Sequence, residues 1–128
     1  MALMIKKVLI VDDEPLIRRS LIRAGKGKNI HFIEAEDGSK GLELWIEQNP
    51  DLVIVDVLMP GLSGPELLRT IDPEVKKKSK IALMSAYTGD FNEDFVKTLG
   101  ADMFIAKPFE DIFKTLDSVL QLIGESST

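Results

Sequence analysis

The feature of the sequence that most constrains its fold is a pair of short apolar runs that each end in acidic residues. Residues 8–11 are followed by Asp12 and Asp13, and residues 52–55 are followed by Asp56. Such continuous apolar runs are typical of strands buried in a parallel sheet. Three carboxylates at neighbouring strand ends repel one another unless a cation lies among them. The pattern therefore predicts a divalent metal site, with phosphoryl transfer to one carboxylate as its simplest chemistry.

The composition is that of an ordinary globular domain, and it excludes several classes of function. Of the 128 residues, 45% are hydrophobic and 29% are charged, and the formal net charge is -5. An acidic chain lacks the basic surface that general nucleic-acid binding requires. The chain has no cysteine, no apolar stretch long enough to cross a membrane and no signal-peptide pattern. We therefore expect one cytoplasmic domain over residues 4–124, a cloning scar at residues 1–3 and a tail at residues 125–128.

Strand-like and helix-like segments alternate along the rest of the chain. Helices are expected after each of five strands, and Leu42, Trp45 and Ile46 are expected to share the buried face of the second helix. This alternation predicts an α/β fold, a doubly wound parallel sheet with helices on both faces. Ligands of such sheets bind at the carboxyl ends of the strands, where the strand order reverses. The expected strands cover residues 8–11, 30–35, 52–56, 81–86 and 103–107.

Four short motifs at the predicted strand ends carry a family resemblance. They are Asp12-Asp13, Asp56 followed by Met59-Pro60, Ser85-Ala86, and Lys107-Pro108-Phe109. With these motifs in this order and at this spacing, the chain resembles the receiver domain of two-component response regulators from about residue 6 to residue 123. The resemblance implies a flavodoxin-like, five-stranded sheet with strand order 2-1-3-4-5. It also implies a phosphoprotein that signals in a phosphorelay.

The resemblance implies a Mg²⁺ site among the acidic residues. Asp13 and Asp56 match the direct ligands of the family, the carbonyl of Leu58 matches a third, and Asp12 matches the residue that holds a bound water. Carboxylate, carbonyl and water oxygens in octahedral geometry are the ligands that Mg²⁺ prefers. We therefore expect Mg²⁺ as the cofactor of this site.

The resemblance also assigns the phosphoryl chemistry. Asp56 is the expected nucleophile and sole phosphorylation site, since a carboxylate can form an acyl phosphate directly. Lys107 is expected to neutralise the phosphoryl oxygens, and the Ser85 hydroxyl is expected to bind one of them. The expected donor is a sensor histidine kinase or a histidine phosphotransfer protein. Apart from this self-catalysed transfer and the self-catalysed hydrolysis of the resulting acyl phosphate, no enzymatic turnover is expected.

A conformational switch is a further implication of the resemblance. In receivers, a hydrogen bond from the hydroxyl group at the position of Ser85 to a phosphoryl oxygen draws the loop after the fourth strand inward. An aromatic residue on the fifth strand then moves from an exposed to a buried position, and here that residue is Phe104. A cis peptide is expected at Lys107-Pro108. Receivers form dimers or bind targets through the fourth helix, fifth strand and fifth helix. Phe113 and Leu120 either contribute to that surface or only widen the buried face of the last helix.

The lifetime of the phosphorylated state is expected to depend on two positions beside the site. Leu58 lies two residues after Asp56, and Tyr87 lies two residues after Ser85. We expect both side chains to flank the path of the water that attacks the acyl phosphate. An apolar side chain and a bulky ring orient that water poorly, so a long-lived phosphoaspartate is predicted.

The sequence leaves three alternatives to this function. A magnesium-dependent phosphohydrolase that uses an aspartyl phosphate carries an acid two positions after the nucleophile, where this chain has Leu58. A nucleotide or flavin module needs glycines in the first strand-to-helix loop, which is acidic here. A degenerate receiver would act only as a binding module. The chain is either a stand-alone receiver or part of a longer regulator. His31 is expected at the surface, and the basic residues 76–80 are expected in a solvated loop.

Overall fold

A computed structural model describes residues 5–86 and 93–124 of the chain. Within these ranges there are five strands and six α-helices, and a 3-10 turn at Gln121–Ile123 follows the last helix. The predicted alternation holds except between the third and fourth strands, where two helices lie in succession. The strands are β1 (Lys6–Val11), β2 (Ile30–Ala35), β3 (Leu52–Asp56), β4 (Lys80–Ser85) and β5 (Met103–Ala106). The helices are α1 (Pro15–Ala24), α2 (Gly38–Gln48), α3 (Gly64–Thr70), α4 (Pro73–Lys76), α5 (Glu93–Thr98) and α6 (Ile112–Leu120).

The five strands form one parallel sheet in the order β2-β1-β3-β4-β5, as the resemblance implied. The chain proceeds from β1 outward to β2 and then returns to the other side of β1 with β3. The strand order therefore reverses between β1 and β3, and Val11 pairs with Val55 at that position. The residues that follow this pair, Asp12 and Asp56, consequently lie side by side at the carboxyl edge of the sheet.

The sheet is covered on both faces, because successive side chains of a strand point to opposite sides. On one face, Leu9 packs in a cluster with residues of α2, α3 and α5, among them Trp45. On the other face, Ile10 packs in a cluster with residues of α1 and α6, among them Leu116. Both apolar runs, residues 8–11 and 52–55, are fully buried. The acidic residues at their ends are thereby attached to fully buried strands.

The turn after β3 is held close to the site by α3. Ser63 and Glu66 form a reciprocal capping box at the start of this helix. The Gly64 amide donates a hydrogen bond to the Val57 carbonyl at 3.0 Å. A β-carbon on Gly64 would lie 2.5 Å from the carbonyl oxygen of Asp56, so the absence of a side chain permits this close approach.

The prediction of a solvated loop at the basic residues 76–80 is confirmed only in part, because Lys77 and Lys78 are exposed in a turn but their neighbours belong to regular elements. Pro73–Lys76 form α4, which is capped by Asp72, and Lys80 begins β4. The Lys76 Nζ donates hydrogen bonds to the carbonyl oxygens of Leu68 at 3.1 Å and Leu99 at 2.8 Å. Helix ends leave carbonyl groups without partners, and an ammonium can bind more than one of them. Lys76 is therefore partly buried, and its burial lowers its pKa.

The expected burial of Ile46 is wrong, and the structure decides between the two alternatives given for the last helix. Ile46 is 55% exposed, although Trp45 beside it is fully buried, because consecutive helical residues point about 100° apart. Leu120 is fully buried in the core, since it lies one turn after Leu116 on the same face, whereas Phe113 is 63% exposed. Only Phe113 of the two flanking residues of α6 can therefore contribute to a surface. His31 is exposed on the edge strand β2, as predicted.

Residues 87–92 lie outside the described residues, and so do residues 1–4 and 125–128. Tyr87, the first residues after the fourth strand, where a helix was expected, the suggested scar and the tail fall in these segments. Among the described residues, no helix has the length and apolar character needed to cross a membrane.

Candidate functional site

The carboxyl edge of the sheet brings together the site residues predicted from four separate strand ends. Asp12 follows β1, Asp56 ends β3, Ser85 ends β4 and Lys107 follows β5. All four residues are buried, whereas Asp13 is exposed at the mouth of the site. One carboxylate oxygen from each of Asp12, Asp13 and Asp56 lies within 4.8 Å of the other two. Among the described residues, these three aspartates form the cluster whose geometry could hold a metal ion.

The Lys107 ammonium is the cation that contacts this acidic cluster. Its Nζ lies 3.1 Å from Asp12 Oδ2 and 3.4 Å from Asp56 Oδ1. It also lies 3.2 Å from Oε1 of Glu14. The Lys107 amide donates a hydrogen bond to the Ser85 carbonyl at 2.9 Å, which aligns the ends of β4 and β5. The ammonium is thus held over the two buried aspartates.

The pKa values indicate that one ammonium does not fully compensate the acidic cluster. Burial, with repulsion from Asp12 and Asp13, raises the pKa of Asp56 from 3.8 to about 6, although Lys107 opposes this shift. Burial also raises the pKa of Asp12. Burial acts to lower the pKa of Lys107, but its contacts with the carboxylates outweigh burial and raise it. A further cation near the aspartates would relieve this repulsion.

The donor set fits a hard cation such as Mg²⁺. The three side chains that converge offer only carboxylate oxygens, and no histidine or cysteine takes part in this cluster. Mg²⁺ combines one or two such carboxylates with waters and phosphate oxygens. Leu58, whose carbonyl was predicted as a further ligand, lies two residues after Asp56 with its side chain 61% exposed.

Two residues at the site were not assigned from the sequence. The Arg18 Nη1 donates a hydrogen bond to the Asp12 carbonyl at 2.7 Å, and its Nε donates one to Glu34 at 2.9 Å. Glu14 contacts Lys107, and its amide donates a hydrogen bond to Asp12 Oδ1 at 2.8 Å. The third acid in the run after β1 was a signal for Glu14, whereas Arg18 had no signal beyond its place in the first turns of α1.

The predicted switch residues lie on β4, which pairs with β3, and on β5, which pairs with β4 at the edge of the sheet. Ser85 is fully buried at the end of β4. Phe104 is partly buried on β5, pairs in register with Leu83 and packs against the cluster under α5. The peptide between Lys107 and Pro108 is cis, as predicted. Ser85 thus follows Met84, the residue that pairs with Asp56, whereas Phe104 lies two residues before Ala106, the residue that pairs with Ser85.

Comparison with known proteins identifies close relatives of this arrangement. The family model of the response regulator receiver domain matches residues 8–117. The transcriptional regulatory protein ResD of Bacillus subtilis is 37% identical over 103 residues, which cover 80% of this chain and 42% of ResD. The chain thus spans less than half the length of this curated relative.

Two solved structures resemble the chain over nearly its whole length. The response regulator TrrA of Thermotoga maritima, in complex with Mg²⁺ and beryllofluoride, is 34% identical with a TM-score of 0.75. The match covers 93% of this chain and 99% of TrrA. The chemotaxis protein CheY4 of Vibrio cholerae is 29% identical with a TM-score of 0.78, over 91% of this chain and 100% of CheY4.

Proposed function

The chain belongs to the response regulator receiver domain family, and we propose that it accepts a phosphoryl group on the Asp56 carboxylate. The observation that carries this assignment is the position of Asp56. It is a buried carboxylate that lies 3.4 Å from the Lys107 ammonium and within 4.8 Å of oxygens of Asp12 and Asp13. A nucleophile, a fixed cation and a pair of further acidic ligands are the parts that phosphoryl transfer to a carboxylate requires.

The transfer itself needs little covalent help from the protein. An Asp56 oxygen attacks the phosphorus of a phosphohistidine, a phosphorus–oxygen bond forms, and the phosphorus–nitrogen bond breaks with its electron pair moving to the imidazole. The Lys107 ammonium neutralises charge on the phosphoryl oxygens, and the Ser85 hydroxyl binds one of them. Because the transition state is loose, positioning and electrostatic stabilisation supply most of the rate.

We assign the acidic cluster to Mg²⁺, with Asp13, Asp56 and the Leu58 carbonyl as direct ligands and Asp12 binding through a water. When bound, the ion supplies positive charge to the phosphoryl oxygens. The raised pKa of Asp56 supports this assignment, because burial and, after it, repulsion from Asp12 and Asp13 disfavour the ionised nucleophile unless a further cation is present. Asp13 is exposed and can reach an ion that enters from solvent.

The proposed partners follow from the phosphoryl chemistry. We propose a sensor histidine kinase or a histidine phosphotransfer protein as the donor, acting in the cytoplasm. The complex of TrrA with Mg²⁺ and beryllofluoride supports a phosphoryl site of this kind in a 34% identical relative. We further propose residues 4–124 as the receiver domain, since the strands and helices extend from Lys6 to Ile123. No direct contact with nucleic acid or membrane is proposed.

The signalling surface is proposed on α5, β5 and α6. Phe104 is expected to move when Ser85 binds the phosphoryl group, which changes this surface. It lines a depression with residues of β5 and α6. Phe113 is 63% exposed on α6 and can take part in a dimer or a target contact. If beryllofluoride changes neither the oligomeric state in light scattering nor amide exchange of this surface, the surface is assigned wrongly.

Incubation with acetyl phosphate and Mg²⁺, followed by intact mass, tests the proposed function. The wild type is expected to gain the mass of one phosphoryl group, and chelation of the metal is expected to prevent the gain. Asp56→Asn is expected to gain nothing, whereas Asp94→Asn, which removes an exposed carboxylate on α5, is expected to behave as the wild type. A phosphorylated Asp56→Asn protein would refute the assignment.

A further inference from the structure

Glu14 occupies one of the three contacts around the Lys107 ammonium. Its Oε1 lies 3.2 Å from Nζ, beside the contacts with Asp12 at 3.1 Å and Asp56 at 3.4 Å. The ammonium has three N–H donors, of which two form hydrogen bonds to Asp12 and Glu14, while Asp56 is held as an ion pair. A phosphoryl group on Asp56 therefore competes with Asp12 and Glu14 for the N–H donors of Lys107.

Among these three carboxylates, Glu14 is the one that can be displaced at low cost. The side chains of Asp12 and Asp56 are 0% and 5% exposed, whereas that of Glu14 is 60% exposed. A buried carboxylate that loses its cation stays without compensation, while an exposed carboxylate is rehydrated. Although Glu14 precedes α1, its side chain makes no capping bond to that helix. Its carboxylate is therefore free to turn toward water.

We propose that Glu14 is a positioning residue that holds Lys107 in the unphosphorylated protein and releases it to the phosphoryl group. The inference rests on the proposed role of Asp56 and extends it to the control of that site. Glu14 competes with the incoming anion for the same ammonium, and its negative charge opposes the approach of the donor phosphate. The residue thus sets how readily the site accepts a phosphoryl group.

Calorimetric titration with beryllofluoride, a mimic of the phosphoryl group, at saturating Mg²⁺ tests this role. Glu14→Gln keeps the length of the side chain but removes its charge. It is expected to bind beryllofluoride about fivefold more tightly than the wild type, which corresponds to about 1 kcal/mol. Glu36→Gln is the matched control, because Glu36 lines the depression next to Asp13 but has no contact with Lys107. Its affinity is expected to stay within about twofold of the wild type.

The outcomes of the titration distinguish a failure of the role of Glu14 from a failure of the proposed function of Asp56. Wild-type affinity in Glu14→Gln overturns the role of Glu14, while binding by the wild type leaves the role of Asp56 intact. Equal tightening in both variants also overturns it, since the cause is then net charge. A wild type that binds no beryllofluoride overturns the proposed function and this inference with it. A crystal structure of the bound wild type gives a second reading: Glu14 is expected to have left Lys107, and a retained contact contradicts the proposal.

Discussion

Replacing Asp56 by asparagine is expected to stabilise the metal-free protein at neutral pH. The pKa of Asp56 is about 6 in the folded state, compared with 3.8 for an unperturbed aspartate, mainly because the side chain is buried. One pKa unit corresponds to about 1.4 kcal/mol, so ionising Asp56 costs the native state up to about 3 kcal/mol. The asparagine side chain carries no charge and avoids this cost. Allowing for an imperfectly bonded amide, we expect a gain of about 1 to 3 kcal/mol.

The gain in the free energy of unfolding of Asp56→Asn relative to the wild type must increase as the pH rises. Because the native state binds the Asp56 proton more tightly than the unfolded chain does, the stabilisation from this group is complete below about pH 4 and is lost as the pH rises through about 6. The difference between Asp56→Asn and the wild type should therefore be small at about pH 4 and maximal at about pH 7.

Urea denaturation in the presence of a chelator measures this difference. Trp45 is the single tryptophan of the chain and is fully buried, so its fluorescence reports unfolding. The exposed-site control Asp94→Asn is expected to change the free energy of unfolding by less than about 0.5 kcal/mol. Added Mg²⁺ should stabilise the wild type more than Asp56→Asn. An Asp56→Asn protein that is less stable at about pH 7, or a gain that is equal at both pH values, would refute the reasoning.

Three further experiments test other parts of the site and the turn beside it. Asp13→Asn is expected to weaken Mg²⁺ binding in a calorimetric titration more than Asp12→Asn does, because Asp13 is assigned as a direct ligand and Asp12 as binding through a water; equal losses would contradict the ligand assignment. Leu58→Asn combined with Tyr87→Glu is expected to speed the loss of phosphate, followed by intact mass, because polar groups can hold the attacking water; an unchanged rate removes the basis for a long lifetime. Gly64→Ala is expected to lower the free energy of unfolding by about 1 to 3 kcal/mol in urea, because its β-carbon would meet the Asp56 carbonyl; a change below about 0.5 kcal/mol would argue against this contact.

The strands and their acidic ends were predictable because burial on both faces leaves a direct mark on the sequence. Residues 8–11 and 52–55 read as buried strands, and both runs are fully buried. The strand order came from the family resemblance, since apolar runs alone do not say which strands are neighbours. Once the order is known, the meeting of Asp12 and Asp56 follows from the parallel pairing of β1 and β3.

The features that escaped prediction depend on contacts between distant segments. The sequence around Lys76 is typical of a solvated cation. In the structure, Lys76 binds the Leu68 and Leu99 carbonyls, which come close only in the folded chain. Glu14 and Arg18 look like ordinary surface charges of a first helical turn, but the fold brings them to Lys107 and to the Asp12 carbonyl. Local patterns record which residues are buried and carry little information about the partner that a charged side chain selects.

Locating the acyl phosphate within the chain tests the central claim most directly. Borohydride reduces an aspartyl phosphate to homoserine, so treatment of the phosphorylated protein followed by peptide mass spectrometry marks the modified position. The account predicts homoserine at position 56 alone, and only when Mg²⁺ was present during phosphorylation. Reduction at Asp12 or Asp13, or the absence of homoserine from protein that carries a phosphoryl group, would contradict it.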